Sequence, residues 1–277
     1  MLGGFCFAVQ DAGIKWLSAE LAVLQILFVR SLFGLGLLAA STRFTRESIS
    51  FRVARPWLLA LRTGVNILSW VLFFTSLKYL PLATAVALFF SFPLFLAVLS
   101  VPLLGEKVGI RRAFAIVVGF VGVLLITNPA AGVPLPALMM LGAALGWALV
   151  ASMTRILGER ENTSTILFYT LLGFAVLLVA PQYWLWSAPS FDEYLLLFGV
   201  AAFGVTAQFA VTKAYAIASP SLIAPFEYTA LIWAAALGYL LWGDIPDLPA
   251  VAGAALIIGS GVYIIHREAA LAARRRR

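Results

Sequence analysis

Four charged residues interrupt long apolar stretches of this sequence: Asp11, Arg30, Arg62 and Glu227. A carboxylate in such a place can bind an amine or carry a proton, and a guanidinium can bind a carboxylate. At a helical rise of about 1.5 Å per residue, Asp11 and Arg30 each lie roughly 15 Å from the same end of their segments. Arg62 and Glu227 each lie about 10–12 Å from that end. The spacing predicts two ion pairs, Asp11–Arg30 and Arg62–Glu227, which either hold helices together or bind a solute. Asp11 and Glu227 are also candidates for proton coupling.

A wider set of polar and aromatic side chains is also suited to binding a solute. The candidate binding residues are Gln10, Asp11, Asn66, Lys78, Tyr79, Phe90, Ser91, Trp147, Thr206, Gln208, Tyr215, Glu227 and Tyr228. Aromatic rings build an apolar pocket, and a lysine near its mouth attracts a carboxylate. Other roles stay open, because lysines at helix ends commonly snorkel and polar side chains commonly bond between helices.

Two prolines within apolar segments, Pro93 and Pro225, are candidate hinges. Proline frees a backbone carbonyl and permits a helix to kink. A static bend without motion is the alternative at both positions.

The composition indicates the kind of structure that holds these charged, polar and aromatic residues. The chain has 277 residues, 63% apolar and only 11% charged, whereas soluble domains carry roughly 25% charged residues. This excludes a soluble enzyme, a disordered regulator and a nucleic-acid-binding domain. Cys6 is the single cysteine, and the sequence has no zinc-protease, phosphate-loop or serine-hydrolase motif. We therefore predict a polytopic membrane protein, without a cofactor, a metal or an enzymatic activity.

Ten apolar segments are long enough to be membrane helices, which need about 20 residues. They cover residues 1–18, 20–41, 55–78, 82–104, 110–127, 134–157, 164–181, 191–214, 219–241 and 248–266. Lysine and arginine concentrate in the loops of one side, and cytoplasmic loops carry this excess. Those cations are Arg43, Arg46, Arg52, Arg55, Lys107, Arg111, Arg112, Arg155, Arg160 and Lys213. Both termini are predicted to be cytoplasmic, with residues 268–277 as a basic tail.

The two halves of the chain resemble each other at a constant offset. Gly3 matches Gly142, Gly34 matches Gly173, Pro81 matches Pro220 and Gly122 matches Gly261, each pair 139 residues apart. Each half has five predicted spans, so the second half is inverted in the membrane. Inverted repeats are typical of secondary transporters, with the solute site near the middle of the membrane.

The repeated segments, residues 76–126 and 216–265, resemble the two EamA domains of the drug/metabolite transporter superfamily. The shared pattern is a helix-starting proline, a second proline (Pro93 or Pro225), then Gly-Glu or Gly-Asp, then a glycine-rich last helix. The resemblance implies a first repeat over 1–128 and an inverted second over 134–267. It also implies a central cavity lined by spans 1, 3, 4, 6, 8 and 9, among which Trp147 and Tyr228 fall.

Within the superfamily the chain is most similar to YddG-type amino-acid exporters. The leading expectation is export of amino acids, aromatic or hydrophobic ones favoured, across a bacterial inner membrane by alternating access. Pro225-Phe226-Glu227-Tyr228 instead resembles branches that take up larger metabolites, such as nucleoside-, S-adenosylmethionine- or flavin-like compounds. A membrane scaffold without transport is a third possibility. The expected partners are a small-molecule substrate, the lipid bilayer and, through glycine-rich faces, a second copy of the chain.

Overall fold

The computed structural model describes residues 2–45, 49–104, 110–128, 134–217 and 228–275, and over these ranges the chain is helical without strands. The eleven helices are α1 (Leu2–Leu17), α2 (Val23–Thr45), α3 (Pro56–Leu77), α4 (Leu82–Phe89), α5 (Phe92–Leu104), α6 (Ile110–Thr127), α7 (Leu135–Leu157), α8 (Thr163–Leu185), α9 (Phe191–Ile217), α10 (Thr229–Trp242) and α11 (Leu248–Arg275). The predicted all-α class is confirmed.

Within the described ranges, six apolar helical segments are long enough to cross a membrane by length and composition. They are Val23–Ala40, Pro56–Leu77, Leu82–Leu99, Leu135–Leu157, Thr163–Leu185 and Phe191–Ala214. Shorter apolar segments occupy Ala113–Thr127, Thr229–Trp242 and Leu248–Ile264. Many large apolar side chains are exposed on the outer surface of the helices, for example Trp57 at 78% and Tyr183 at 86%. Such a surface is stable against lipid hydrocarbon rather than water.

Local signals at the helix ends agree with the sequence. Pro56 opens α3, where its missing N–H is not needed. The Asn162 side chain caps α8 by accepting a hydrogen bond from the Thr165 amide at 2.7 Å. Gly243 ends α10 with φ of +70°, a conformation that favours glycine.

The fourth predicted span is two helices rather than one. Helix α4 ends at Phe89 and α5 begins at Phe92, so the break lies at Phe90 and Ser91. Pro93, predicted to lie in the middle of a helix, lies in the first turn of α5. Because Pro93 has no N–H for the carbonyl of Phe89, the chain cannot continue one regular helix through this point.

Helix α11 is longer than the predicted tenth span, 248–266, and continues to Arg275. The first eight residues of the predicted basic tail, 268–275, are therefore helical. Residues 276–277 lie outside the described ranges, as do Pro225 and Glu227.

The main helix contacts join the first half of the chain to the second. Helix α3 packs on α7, α1 on α9 and α10, α2 on α8, and α4 on α10. Helices α6 and α11 also pack together, with the backbones of Gly122 and Gly253 in close approach. A Cβ atom at Gly122 would lie 2.6 Å from the carbonyl oxygen of Gly253. These glycines therefore allow α6 and α11, the fifth and tenth predicted spans, to pack closely within one chain.

Candidate functional site

An aromatic cavity lies where α1, α3, α4, α5, α7, α9 and α10 meet. Seven rings line it: Phe7, Trp70, Phe73, Phe89, Phe90, Phe92 and Trp147. Trp70 is central to this set, because its ring stacks on Phe74 at 5.0 Å and meets the Trp147 ring edge-on at 5.6 Å. The free volume is about 60 Å³, space for about two water molecules at roughly 30 Å³ each.

Asp11 provides the carboxylate in the cavity wall. The side chain of Gln10 donates a hydrogen bond to Asp11 Oδ1 at 3.0 Å. Arg30 Nη2 in turn donates to Gln10 Oε1 at 2.5 Å, so Gln10 links Asp11 and Arg30. The structure thus has a bridged arrangement where the sequence predicted a direct ion pair. All three side chains are buried.

The Arg30 guanidinium also contacts the aromatic lining. Its central carbon lies 5.7 Å from the centre of the Trp70 ring, within the range of a cation–π interaction. The ring and the amide of Gln10 together orient Arg30. Trp70 was not among the residues predicted from the sequence.

Gly204 in α9 is a second residue that sequence reasoning missed. A Cβ atom built on Gly204 would lie 2.6 Å from Arg30 Nη2, and closer still to the side-chain oxygen of Gln10. The Gln10–Arg30 hydrogen bond therefore occupies space that only glycine leaves free. Close packing between buried polar groups and a helix backbone gives no sequence signal apart from the glycine itself.

Arg62 is held between three helices, α3, α7 and α8. Its Nε donates to Thr154 Oγ1 of α7 at 2.8 Å, and its Nη1 donates to Thr170 Oγ1 of α8 at 2.6 Å. Arg62 is 1% exposed. The predicted Arg62–Glu227 pair stays a prediction, because Glu227 lies outside the described residues.

Of the other predicted binding residues, Phe90 and Trp147 line the cavity. Tyr228 is buried against Phe90, with ring centres 4.9 Å apart. Asn66 is fully buried on α3, and Ser91 is buried at the α4–α5 break. Neither the Asn66 amide nor the Ser91 hydroxyl has a hydrogen-bond partner within the described part of the chain.

Among the other predicted residues outside the cavity lining, two are exposed at a helix end and two form hydrogen bonds within α9. Lys78 and Tyr79 are exposed at the end of α3. Thr206 is exposed and donates to the Ala202 carbonyl of its own helix, and Gln208 contacts Thr212 one turn away. Tyr215 belongs to α9, but its side chain lies outside the described set.

Lys15, at the C-terminal end of α1, contacts two connections from different halves of the chain. Its ammonium group donates to the Leu80 carbonyl, between α3 and α4. It also lies 3.9 Å from Asp244 Oδ2, between α10 and α11. The same nitrogen lies 5.2 Å from the centre of the Trp242 ring. The contacts are more specific than the snorkelling expected of a lysine at a helix end.

The family model of EamA-like transporters matches residues 1–128 and 134–266 of the chain. The chain belongs to this family. As an EamA-like transporter it is a multi-pass membrane protein related to carriers of small molecules.

Several curated relatives of this EamA-like transporter are named for the substrate that they transport. An S-adenosylmethionine uptake transporter of Rickettsia prowazekii is 27% identical over 278 residues, covering 96% of this chain and 94% of the relative. A riboflavin transporter of Vibrio cholerae is 33% identical, covering 74% and 68%. A pseudopaline exporter of Pseudomonas aeruginosa is 29% identical, covering 93% and 91%. The relatives therefore include both uptake and export proteins.

A solved crystal structure has the same fold as this EamA-like transporter. It aligns with a TM-score of 0.69 at 18% sequence identity, covering 99% of this chain and 97% of the other. This likeness bears on the fold alone.

Proposed function

We propose that this chain is a secondary transporter for a solute that joins a cationic amine or sulfonium to an aromatic or apolar part. The observation that carries this proposal is the placement of Asp11 in the wall of a cavity lined by seven aromatic rings. Aromatic faces and a carboxylate both attract an organic cation, and the rings also pack against a flat or apolar group. Aromatic amino acids and larger amino-acid-derived cations of the S-adenosylmethionine type share this chemistry.

The walls of the cavity separate when the solute binds. A free volume of about 60 Å³ is too small for an amino acid, since small-molecule sites usually have roughly 300–1,000 Å³. We propose that two inverted halves, residues 1–128 and 134–267, move against each other in alternating access. The helix contacts support this, because α1 packs on α9 as α7 packs on α3, the exchange expected of a two-fold relation.

The remaining elements of the proposal follow from the sequence. Both termini face the cytoplasm of a bacterial cell, and the protein lies in the inner membrane as a non-enzymatic carrier. Export of amino acids is the favoured direction. Asp11 is the candidate group for proton coupling among the described residues.

Flux into proteoliposomes tests the proposal. Labelled phenylalanine, threonine and S-adenosylmethionine are measured with and without an imposed pH gradient, in wild type, Asp11→Asn and the exposed-site control Asp192→Asn. We expect saturable flux of a cationic or zwitterionic solute, and roughly a tenfold or greater loss of apparent affinity in Asp11→Asn only, from removal of a charge-assisted contact. Wild-type and Asp11→Asn proteins of equal affinity would contradict the role of Asp11.

A pH gradient separates facilitative from coupled transport. If Asp11 carries the coupled proton, the gradient accelerates wild-type flux and has no effect on Asp11→Asn. Gradient-dependent flux that persists in Asp11→Asn would assign coupling to another group, and flux independent of the gradient in both proteins would exclude coupling.

An uncharged flat-ring solute is the second candidate, favoured by the aromatic lining and by the riboflavin transporter among the relatives. Such a solute stacks on the rings without needing a carboxylate. Flux of riboflavin that is insensitive to Asp11→Asn would favour this candidate. Failure of every solute to bind or move would favour a non-transporting scaffold.

A further inference from the structure

The face of α3 that lines the cavity continues as a row of polar residues toward the start of the helix. Arg62, Asn66, Trp70 and Phe73 follow one another at spacings of four, four and three residues, which places them on the same side of a helix. Trp70 and Phe73 line the cavity. Asn66 therefore lies on the same side of α3 one turn from Trp70, buried next to the lining residues, and Arg62 follows one turn later.

Asn66 is a buried amide without an internal role in the described part of the chain. It is 0% exposed, and neither its side-chain nitrogen nor its oxygen has a hydrogen-bond partner there. The Thr63 hydroxyl, on the preceding turn, also lacks one. Buried polar groups are nearly always paired. An amide without a partner among the described residues, one turn from the cavity lining, is therefore a candidate for pairing by a ligand.

The charges around this face favour an anion. Asp11 and Arg30 carry opposite charges and are linked by Gln10 without direct contact. Arg62 has two threonine hydroxyls as its hydrogen-bond partners among the described side chains, and no carboxylate there lies within ion-pair distance. A guanidinium in a membrane interior attracts a negative group. Glu227, the partner predicted from the sequence, lies outside the described residues.

Asn66 and Asp11 lie at matching depths. Counting about 1.5 Å per residue from the first residues of α1 and α3, which begin on the same side, gives roughly 14 Å for Asp11 and 15 Å for Asn66. At similar depth, the two groups are placed to bind the two polar ends of one solute once the cavity has opened.

We propose that Asn66, with Arg62 one turn behind it, binds the carboxylate of the solute whose cationic group binds at Asp11. This inference rests on the proposed function and narrows the substrate class to zwitterions with an α-amino-acid head group. The Asn66 amide donates directly to the carboxylate, and Arg62 supplies the compensating positive charge.

Two pairs of ligands that differ in the carboxylate alone test the inference. L-phenylalanine is compared with 2-phenylethylamine, and S-adenosylmethionine with its decarboxylated form. Binding is measured by ligand-induced thermal stabilisation of the full chain in detergent, which does not require transport. The variants are Asn66→Leu, Asn66→Asp and Ser69→Ala, the last as a control on the same helix whose hydroxyl donates to the Ala143 carbonyl of α7 at 2.7 Å.

In the wild type we expect the carboxylate-bearing member of at least one pair to bind roughly tenfold or more tightly. Asn66→Leu removes that preference, and Asn66→Asp reverses it by repulsion, while both retain the decarboxylated ligand. Ser69→Ala keeps the wild-type preference. Asn66→Leu also leaves the ligand-free protein as stable as wild type or more so, because it removes an unpaired buried amide.

The failures of this inference and of the proposed function are distinguishable. A wild-type preference that survives in both Asn66 variants overturns the carboxylate site but leaves the transporter intact. Loss of ligand-free stability in Asn66→Leu assigns Asn66 a structural role and also overturns the inference. If neither member of either pair binds the wild type, the proposed cationic-solute function fails, and this inference fails with it.

Discussion

Gln10 is the side chain through which the charges of α1 and α2 interact. It donates to Asp11 and accepts from Arg30, using both ends of its amide. Because an amide separates the two charged groups, Asp11 is not neutralised by direct contact with a guanidinium. A carboxylate held in this way remains able to bind a cationic solute.

At the residue scale, replacing Gly204 by alanine tests how closely this network is packed. The new methyl group would lie 2.6 Å from Arg30 Nη2, so we expect Gly204→Ala to lower stability by about 1–3 kcal/mol, as overpacking does. Thermal unfolding in detergent measures the change. Gly199→Ala is the matched control in α9, because a Cβ atom there has no neighbour within 4 Å. Equal melting temperatures for the two variants would contradict the packing argument.

The charged residues of the site could be predicted from sequence, whereas most of its aromatic lining could not. A charge inside an apolar segment is rare and costly, so Asp11 was identified by its residue type alone. Phe7, Trp70 and Phe89 are aromatic residues in a chain that contains 21 phenylalanines and 8 tryptophans. Which rings face a cavity and which face lipid depends on helix rotation, and the low amphipathicity of buried spans does not determine that rotation.

At the element scale, the break between α4 and α5 divides one membrane span beside the cavity. Phe89 and Phe92, on either side of the break, both line the cavity. A change in the angle between α4 and α5 would therefore move these rings apart. Pro93 itself predicted a possible bend in this span, but the position of the break three residues before Pro93 follows from the backbone hydrogen bonds.

Pro93→Ala tests whether this break serves transport. Alanine supplies the N–H that Pro93 lacks, so we expect α4 and α5 to become more continuous and solute flux to fall several-fold, with solute affinity nearly unchanged. Flux and binding are measured on the same preparation. Pro136→Ala is the control, since Pro136 also lies in the first turn of a helix, α7, but away from the cavity. A Pro93→Ala protein with wild-type flux would show the bend to be static.

The contacts of Lys15 hold together two connections at the predicted external face. Lys15→Gln keeps a side chain of similar length but removes the charge that attracts Asp244. We expect this variant to expose the cavity to the outside more often. In a Cys6→Ser background, a cysteine at Val86 in the cavity wall should react faster with a membrane-impermeant thiol reagent.

Asp244→Asn removes the other partner of this ion pair and should raise the same labelling rate. A cysteine at the exposed position Ser190 reports the reactivity of the reagent itself and should be unaffected by either variant. If the Val86 cysteine reacts at the wild-type rate in both variants, the Lys15 contacts do not close the external side.

At the scale of the whole molecule, orientation in the membrane is a prediction from lysine and arginine counts. In the Cys6→Ser background, a cysteine at Ser190 should be labelled in intact cells by an impermeant reagent. A cysteine at Glu159, on the opposite side, should be labelled only after the cells are permeabilised. The reverse pattern would contradict cytoplasmic termini.

The family and the helical class of the whole chain could be predicted from its sequence, because a glycine and proline pattern repeated over both halves constrains them together. The predicted spans also agree with most helices, since apolar length determines where a helix can cross a membrane. Pairwise contacts such as Gly122 with Gly253 and Lys15 with Leu80 were not predictable, because they depend on how distant segments approach each other.

The small free volume of the aromatic cavity has a consequence for the electrical insulation of the membrane. Within the described part of the chain, a cavity of about 60 Å³ is much narrower than the continuous column of water along which hydrated ions cross a pore. We therefore expect proteoliposomes that contain the protein without its solute to retain an imposed ion gradient.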